Sequence, residues 1–375
     1  MPVHPGRTQG GAIRGVPTAD AVGLLKALCG ATDGGSGLEA PVAGTLRGVW
    51  AGVADEVGGD GIGNLWAVRR GGGGPPVLLA AHLDVISLIV TRRLPGGFLR
   101  CAPLGGVDPR TLPGREVVVH GRQSLRAIVA TVPPHLTRSA SRSRLPAADA
   151  VTLDTGFRDE ALEGLVRPGD RAHFATEPAE LLGGRWTAAG LDNRAGVAAL
   201  TQALAALSGV TLDGDLVVAA NVQEEVGLRG IAPLGERLRP AAAVVVDVGF
   251  AQQPGVEEYQ GAACGGGPVL ALGPSLHPEV HRLLAAEAQR LDIPLQREVL
   301  AGPSGTDAWA LQVAAGDVPT GLLSIPLRSM HSPSEVVDLA DVRRTGLLLA
   351  AWARAAGLDW RRGLTRRLAG GATQP

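Results

Sequence analysis

Apolar and polar positions along the chain follow two patterns, and the pattern changes twice. From Ala19 the segment "ADAVGLLKALC" sets Val22, Leu25 and Leu28 on one helical stripe. "PVLLAA" (76–81) is a short all-apolar run, the mark of a strand covered on both faces. "RGGGGPP" (70–76), just before it, reads as a hairpin turn. Between about residues 89 and 173 the pattern shortens to alternating runs, "REVVVHG", "LRAIVAT", "AVTLDTG" and "DRAHFAT", parted by turns such as "LPGR" and "RPGD". No good helix shows there, which predicts a small β-barrel or sandwich.

Beyond this stretch helices and strands alternate. "DNRAGVAALTQALAAL" puts Val197, Leu200, Leu204 and Leu207 on a helical stripe, and "HPEVHRLLAAEAQRLD" clusters Val280, Leu283, Leu284 and Leu291. "DLVVAANVQ", "AAAVVVDV" (241–248), "PLQREVL" and "TGLLSIP" (320–326) read as strands. "TDAWALQVAA" reads as a short helix, with Thr306 capping it, and "LADVRRTGLLLAAWARAAG" as the closing helix. The expected fold is α/β, a mainly parallel sheet flanked by helices, split by an inserted small β-barrel domain. Residues 19–88 and 174–358 form the discontinuous main domain, 89–173 the insertion, and 1–18 and 364–375 are expected to be flexible.

Composition narrows the classes. At 375 residues about two domains are expected. A formal charge of −1 gives no basic footprint for nucleic acid, and the basic loop "RSASRSR" (138–144) has no aromatic residue to stack on bases. Lys26 is the only lysine and sits in "LLKAL", so no Gly-Lys-Ser/Thr phosphate loop exists. Cys29, Cys101 and Cys264 are odd in number and lack C-x-x-C spacing, which argues against a disulfide framework and fits a reducing compartment. The first residues lack a signal peptide's apolar core, and no run approaches the ~18 apolar residues of a membrane span. A soluble, cytoplasmic protein without membrane partners is expected.

In open α/β sheets, sites form at the carboxyl ends of the strands. His82 follows "VLLAA", with Asp84 two residues on. The adjacent acids Glu224 and Glu225 follow "LVVAANVQ", Asp247 ends "AAAVVV", and His331 lies a few residues past "LLSIP". Asp192 opens a helix, where its plainest role is an N-cap. Each residue alone also fits a structural or solvated role; their coincidence at consecutive strand ends is what carries weight. Imidazole and carboxylate suit Zn²⁺ or a similar divalent ion. Five such ligands serve two ions only if one carboxylate bridges, which predicts a two-metal site with ions ~3.5–4 Å apart.

Several signatures stand in order from about Ala19 to Gly357: "GSGLEAPV", "GNLWAV", "AAHLDVISLIVT", "PLGGVDP", "PPHL", "GLDNRAGVAAL", "NVQEEVGLRG", "VVVDVG", "GTDA" and "IPLRSMHSPSEVVDLADV". With them the chain resembles the family 42 metallopeptidases of clan MH, tetrahedral-assembly aminopeptidases that include deblocking, glutamyl and endoglucanase-labelled members. The resemblance implies that His82 and Asp247 bind one metal, Glu225 and His331 the other, and that Asp192 bridges both. It implies Zn²⁺, with Co²⁺ or Mn²⁺ as alternatives. Asp84 would orient His82, and Glu224 would be the general base. The Asp192–Asn193 peptide would be cis, and the insertion would be a dimerisation domain building a homo-dodecamer. The function implied is a two-metal aminopeptidase acting on N-terminal residues of peptides. Another two-metal amidohydrolase (an N-acyl amino acid deacylase or a carboxypeptidase-like enzyme) and a non-catalytic assembly protein remain the rival readings.

The chain departs from the family pattern at Val85, Ser87 and Ser329, which bears on pocket shape rather than on metal chemistry. His135 in "PPHL" reads as a loop or assembly residue, and His277 and His281 as a solvated helix start without a metal-binding glutamate.

Overall fold

The structure, a computed structural model, describes residues 21–30, 34–136, 151–314 and 317–368. Residues 1–18 and the "RSASRSR" loop lie outside the described residues. The chain opens with α1 (Ala21–Cys29), α2 (Ala40–Trp50), β1 (Glu56–Gly59), β2 (Leu65–Arg69) and β3 (Gly74–His82). There follow β4 (Ser87–Leu94), β5 (Phe98–Leu104), β6 (Glu116–His120), β7 (Ser124–Val129), β8 (Val151–Asp154), α3 (Asp159–Glu163) and β9 (Arg171–Phe174). After β10 (Ala179–Leu181) and β11 (Arg185–Ala188) come α4 (Leu191–Ala206), β12 (Gly214–Asn221), α5 (Ile231–Leu238) and β13 (Ala242–Phe250). The rest is β14 (Val269–Leu272), α6 (Pro278–Arg290), β15 (Gln296–Val299), α7 (Asp307–Val313), β16 (Thr320–Arg328), β17 (Glu335–Asp338) and α8 (Leu339–Leu368).

The main sheet runs β1-β2-β12-β3-β13-β16-β17-β11-β10, with β14 and β15 branching from β16. Its centre, β12-β3-β13-β16, is parallel, whereas both flanks are antiparallel. Parallel strands need covered faces, and here alternate side chains serve two cores. Leu79 and Ala81 of β3 and Val244 and Val246 of β13 join one core, with residues of α1, α4, α6 and α8. Leu78, Ala80, Ala243 and Val245 join the other, with residues of α5 and α7. That is why these strands read as unbroken apolar runs.

The stretch that interrupts this layer closes into an antiparallel barrel, β4-β5-β8-β7-β6-β9. On β7, Leu125, Ala127 and Val129 point inward while Ser124, Arg126 and Ile128 are exposed. With Leu88, Leu99, Val117 and Leu153 they fill a core separate from the other two.

Three local expectations change. "RGGGGPP" is not a hairpin turn, because β12 lies between β2 and β3. The glycines instead cross the start of β12, where the Gly71 N–H donates to Asp215 Oδ1 at 2.9 Å and the Gly72 N–H to Leu212 O at 2.9 Å. A Cβ on Gly71 would overlap the Gly214 backbone. The barrel stretch does contain a helix, α3, a single turn with acids at its start and only Leu162 buried. That is too short for periodicity to register. Finally, α8 continues to Leu368, so residues 364–368, expected to be flexible, are helical. Arg and Leu favour helix, and the next glycine pair begins only at Gly370.

Candidate metal centre

The parallel strands end in register, with Asn221 of β12 beside His82 of β3. Asp247 of β13 sits beside Ser324 of β16. Beyond β12 the path breaks at Gln223, whose φ of +58° lies in the left-handed region. The two glutamates therefore leave the strand rather than alternate across it. Asp84 holds them there: Oδ1 accepts from the Glu224 N–H at 2.9 Å and Oδ2 from the Glu225 N–H at 3.2 Å. The Ser36 hydroxyl also donates to Asp84 Oδ2, at 2.6 Å.

His82 Nδ1 lies 2.9 Å from the main-chain oxygen of Asp84, while the Asp84 carboxylate is 3.6 Å away. Asp84 thus orients the ring through its carbonyl, and its carboxylate serves the glutamate turn. A carbonyl only accepts, so Nδ1 carries a proton, and Nε2 is the nitrogen that a neutral ring would turn to a cation. Nε2 faces Asp192 Oδ1 at 3.2 Å, Asp247 Oδ1 at 3.7 Å and Glu224 Oε2 at 3.9 Å.

Asp192 stands at the middle. Its Oδ1 faces His82, and its Oδ2 lies 3.4 Å from His331 Nε2, which is 3.6 Å from Glu225 Oε2. It is not a helix N-cap. Gly190 holds that position, Asp192 and Asn193 have non-helical backbone inside α4, and the peptide between them is cis. Asn193 Nδ2 donates to Val246 O at 2.8 Å and tethers this turn to β13. The donors form two groups, His82 with Glu224 and Asp247, and Asp192 with Glu225 and His331; within each, ligand atoms lie within 4.8 Å of one another.

All five expected ligands and both expected acids, Glu224 and Asp84, therefore meet in one place. Sequence reading missed Glu335, buried on β17, whose Oε2 accepts from the Asp192 N–H at 3.1 Å and Oε1 from the His331 N–H at 3.1 Å. An acid at the start of the short strand "EVVD", ahead of two valines, was the available signal. Also missed was the barrel's contribution. The Gly105–Gly106 turn after β5 presses on the centre, and a Cβ at Gly106 would overlap His331 Nδ1. Thr306 does cap α7, and Asp307 behind it is buried and accepts from Asn221 Nδ2. Away from the centre, His277 caps α6 by accepting from the Glu279 N–H, His281 lies one turn further on, and His135 is exposed in a 3-10 turn.

The electrostatics call for added positive charge. Burial pushes the Glu224 carboxyl up to about 9 and Asp307 up to about 7, and it also raises Glu225 and Asp247. Against the burial penalty, the Glu224 charge and hydrogen bonds to Asp192 and Asp247 raise His82 well above its ordinary value. Hydrogen bonds from His331 and His82 overcome burial at Asp192 and hold its carboxyl below the usual range. No Lys or Arg is among the described residues lining the ≈ 500 Å³ cleft above this cluster. Glu225 Oε1 is buried without a hydrogen-bond partner among the described residues. Converging buried carboxylates, an orphaned carboxylate oxygen and a donor set of imidazole and carboxylate fit divalent cations.

Fold and donor set together define a metal-dependent hydrolase carried on an α/β sheet edge. The chain belongs to the M42 glutamyl aminopeptidase family, whose model matches residues 63–348. It is thus a metallo-aminopeptidase, a hydrolase acting on peptide bonds. It is 36% identical over 297 residues to the lysyl aminopeptidase of Pyrococcus furiosus, spanning 78% of this chain and 85% of that one. A TET aminopeptidase from a marine-sediment Thaumarchaeota archaeon superposes with a TM-score of 0.87 at 28% identity, covering 92% of this chain and 98% of that one. The Pyrococcus horikoshii TET1 peptidase, described as assembling into a tetrahedron or a large octahedral shell, gives 0.77 at 33% identity, covering 88% and 99%. No described helix is long and apolar enough to cross a membrane.

Proposed function

We propose that the protein removes N-terminal residues from peptides at a pair of divalent ions, with Glu224 as the group that moves protons. The observation that carries this reading is Asp192, with one carboxylate oxygen turned to each imidazole. His82 and Asp247 would hold one ion, Glu225 and His331 the other, and Asp192 both. Zn²⁺ suits these donors, with Co²⁺ or Mn²⁺ as alternatives. Bound ions supply Lewis acidity, polarising a carbonyl and acidifying water.

The chain's own residues do the rest. Glu224 takes the proton from the attacking water and returns it to the departing amine. Its backbone is pinned by Asp84; burial raises its pKa to about 9 without added cations, and nearby positive charge would lower it into the range of a working base. The acidic lining receives a substrate's free α-ammonium. It holds no Arg or Lys among the described residues to bind a C-terminal carboxylate, which disfavours a carboxypeptidase. N-acylated substrates would bring no charge for the acids to meet, which disfavours a deacylase.

Residues 19–88 and 174–358 serve as the catalytic domain and 89–173 as a dimerisation domain, whose exposed Ile128, Val132 and Leu136 offer apolar contact surface. Dimers would build a homo-dodecamer, as the likeness to an assembling TET1 peptidase supports. A cytoplasmic setting belongs to the same reading and fits the three free thiols. The test is metal-reconstituted protein of measured mass, assayed on a panel of aminoacyl and N-acylated peptides. Chelator-sensitive release from free-amine substrates is expected. Cleavage of blocked substrates alone, or of none, would overturn the reading.

A further inference from the structure

One acid in the cleft is not used by this chemistry. Glu298 lies on β15, two strands out from β16 through β14. Register aligns Glu298 with Ala271 and places it in the row of Leu322, two residues before Ser324, which itself neighbours Asp247. Strand alternation then puts Leu322 and Ser324 of β16, and Glu298 and Leu300 beside them, on the same face, and all four line the cleft that holds the donor groups. Glu298 thus stands some distance down the cleft wall from Asp247, about 14 Å across three strand spacings measured backbone to backbone.

Two features make this acid unusual. Its carboxylate is half-buried, and among the described residues it has no hydrogen bond or ion pair; burial alone raises its proton affinity. The cleft it shares with the metal centre carries the apolar side chains Leu300, Leu322 and Phe250 beside the hydroxyls of Ser304, Thr306 and Ser324. An unpaired acid in a cleft that also offers leucine side chains is complementary to a long side chain with an aliphatic stem and a cationic head. The same lining offers no Lys or Arg to an acidic side chain.

We infer that Glu298 is a specificity-determining residue that selects lysine or arginine as the N-terminal residue of the substrate. The stem packs on the leucines, the ammonium or guanidinium meets Glu298, and the α-amine and scissile carbonyl lie at the metal centre. This rests on the aminopeptidase reading above and adds the substrate class to it.

The experiment compares kcat/KM for lysyl, arginyl, leucyl and glutamyl p-nitroanilides, on metal-loaded wild type, Glu298→Gln and Glu298→Arg. In the wild type, lysyl and arginyl substrates are expected to lead leucyl, with glutamyl last. In Glu298→Gln the lysyl-to-leucyl ratio falls about fivefold, a modest charge-pair effect for a half-exposed group. In Glu298→Arg the order of lysyl and glutamyl reverses. The wild-type lysyl preference also shrinks as salt rises from 0.05 to about 0.5 M, which a packing role would not produce. Leucyl cleavage without a lysyl preference, or an unchanged lysyl-to-leucyl ratio in Glu298→Gln, overturns this inference and leaves the aminopeptidase reading standing. Failure to cleave any of the four overturns both.

Discussion

Glu224 and Glu225 are neighbours in the chain and unequal in surroundings. Both backbone N–H groups rest on Asp84, yet Glu224 turns Oε2 toward His82 and Glu225 turns Oε2 toward His331. Both line the cleft, but Glu225 Oε1 is buried and unpartnered among the described residues, as expected of an oxygen reserved for a cation, and the Glu224 side chain is the more exposed of the two, at 10% against 5%. Glu225→Gln is therefore expected to lower bound metal from two ions toward one per subunit, read by elemental analysis. Glu224→Gln should keep both ions and the assembly while kcat falls by about 10²–10⁴-fold. Loss of metal from Glu224→Gln would show that Glu224 is a ligand, a role its grouping with His82 and Asp247 also permits. The candidate ligands stood out in the sequence because they are polar residues ending apolar strands. Glu335 did not, because it acts through the backbone N–H groups of Asp192 and His331, and a partner's main chain leaves no mark on composition.

Among elements, the turn after β5 joins the barrel to the chemistry. Gly106 lies against the His331 ring, Gly105 against Glu225, and the Asp108 N–H donates to His331 O at 3.2 Å. A methyl group at Gly106 has no room unless the imidazole moves. Gly106→Ala is expected to lower kcat/KM at least about tenfold, since small misplacement of a catalytic group is costly, while the melting temperature changes little. Wild-type kinetics in this variant would show that the turn yields instead. The elements themselves were legible where they were long. Helices α4, α6 and α8 and the central strands each bury many apolar side chains in one repeating pattern. The flanking strands β1, β10, β11 and β17 have three or four residues each, which is too few for a period to emerge. The glycine crossing beside β12 was misread because a turn's composition does not reveal which strand later slides between its arms.

At the scale of the whole molecule, the metal-free protein carries a cluster of buried acids that the fold does not neutralise. Glu224 is pushed up to about 9 by burial, and Glu225 and Asp247 are raised with it. An acid whose folded-state pKa is raised favours folding below its unfolded value, and that favour is lost as pH rises through the folded value. A raised histidine behaves the same way, and His82 is raised too. Asp192 is depressed, so its contribution changes only in acid, below the usual carboxylate range. Between about pH 5 and 9 the shifts of Glu224, Asp247 and His82 therefore act in one direction. The melting temperature of chelator-treated protein is expected to fall across that window. Metal-loaded protein should lack this slope, because bound cations take the place of the protons and stabilise only the folded state. Saturating metal near pH 8 should raise the melting temperature by about 5–10 °C over the stripped form, and by less near pH 5. Scanning calorimetry of both forms at several pH values checks this. A stripped protein equally stable at pH 5 and pH 9 would mean that the acids at Asp192 are neutralised by the fold itself.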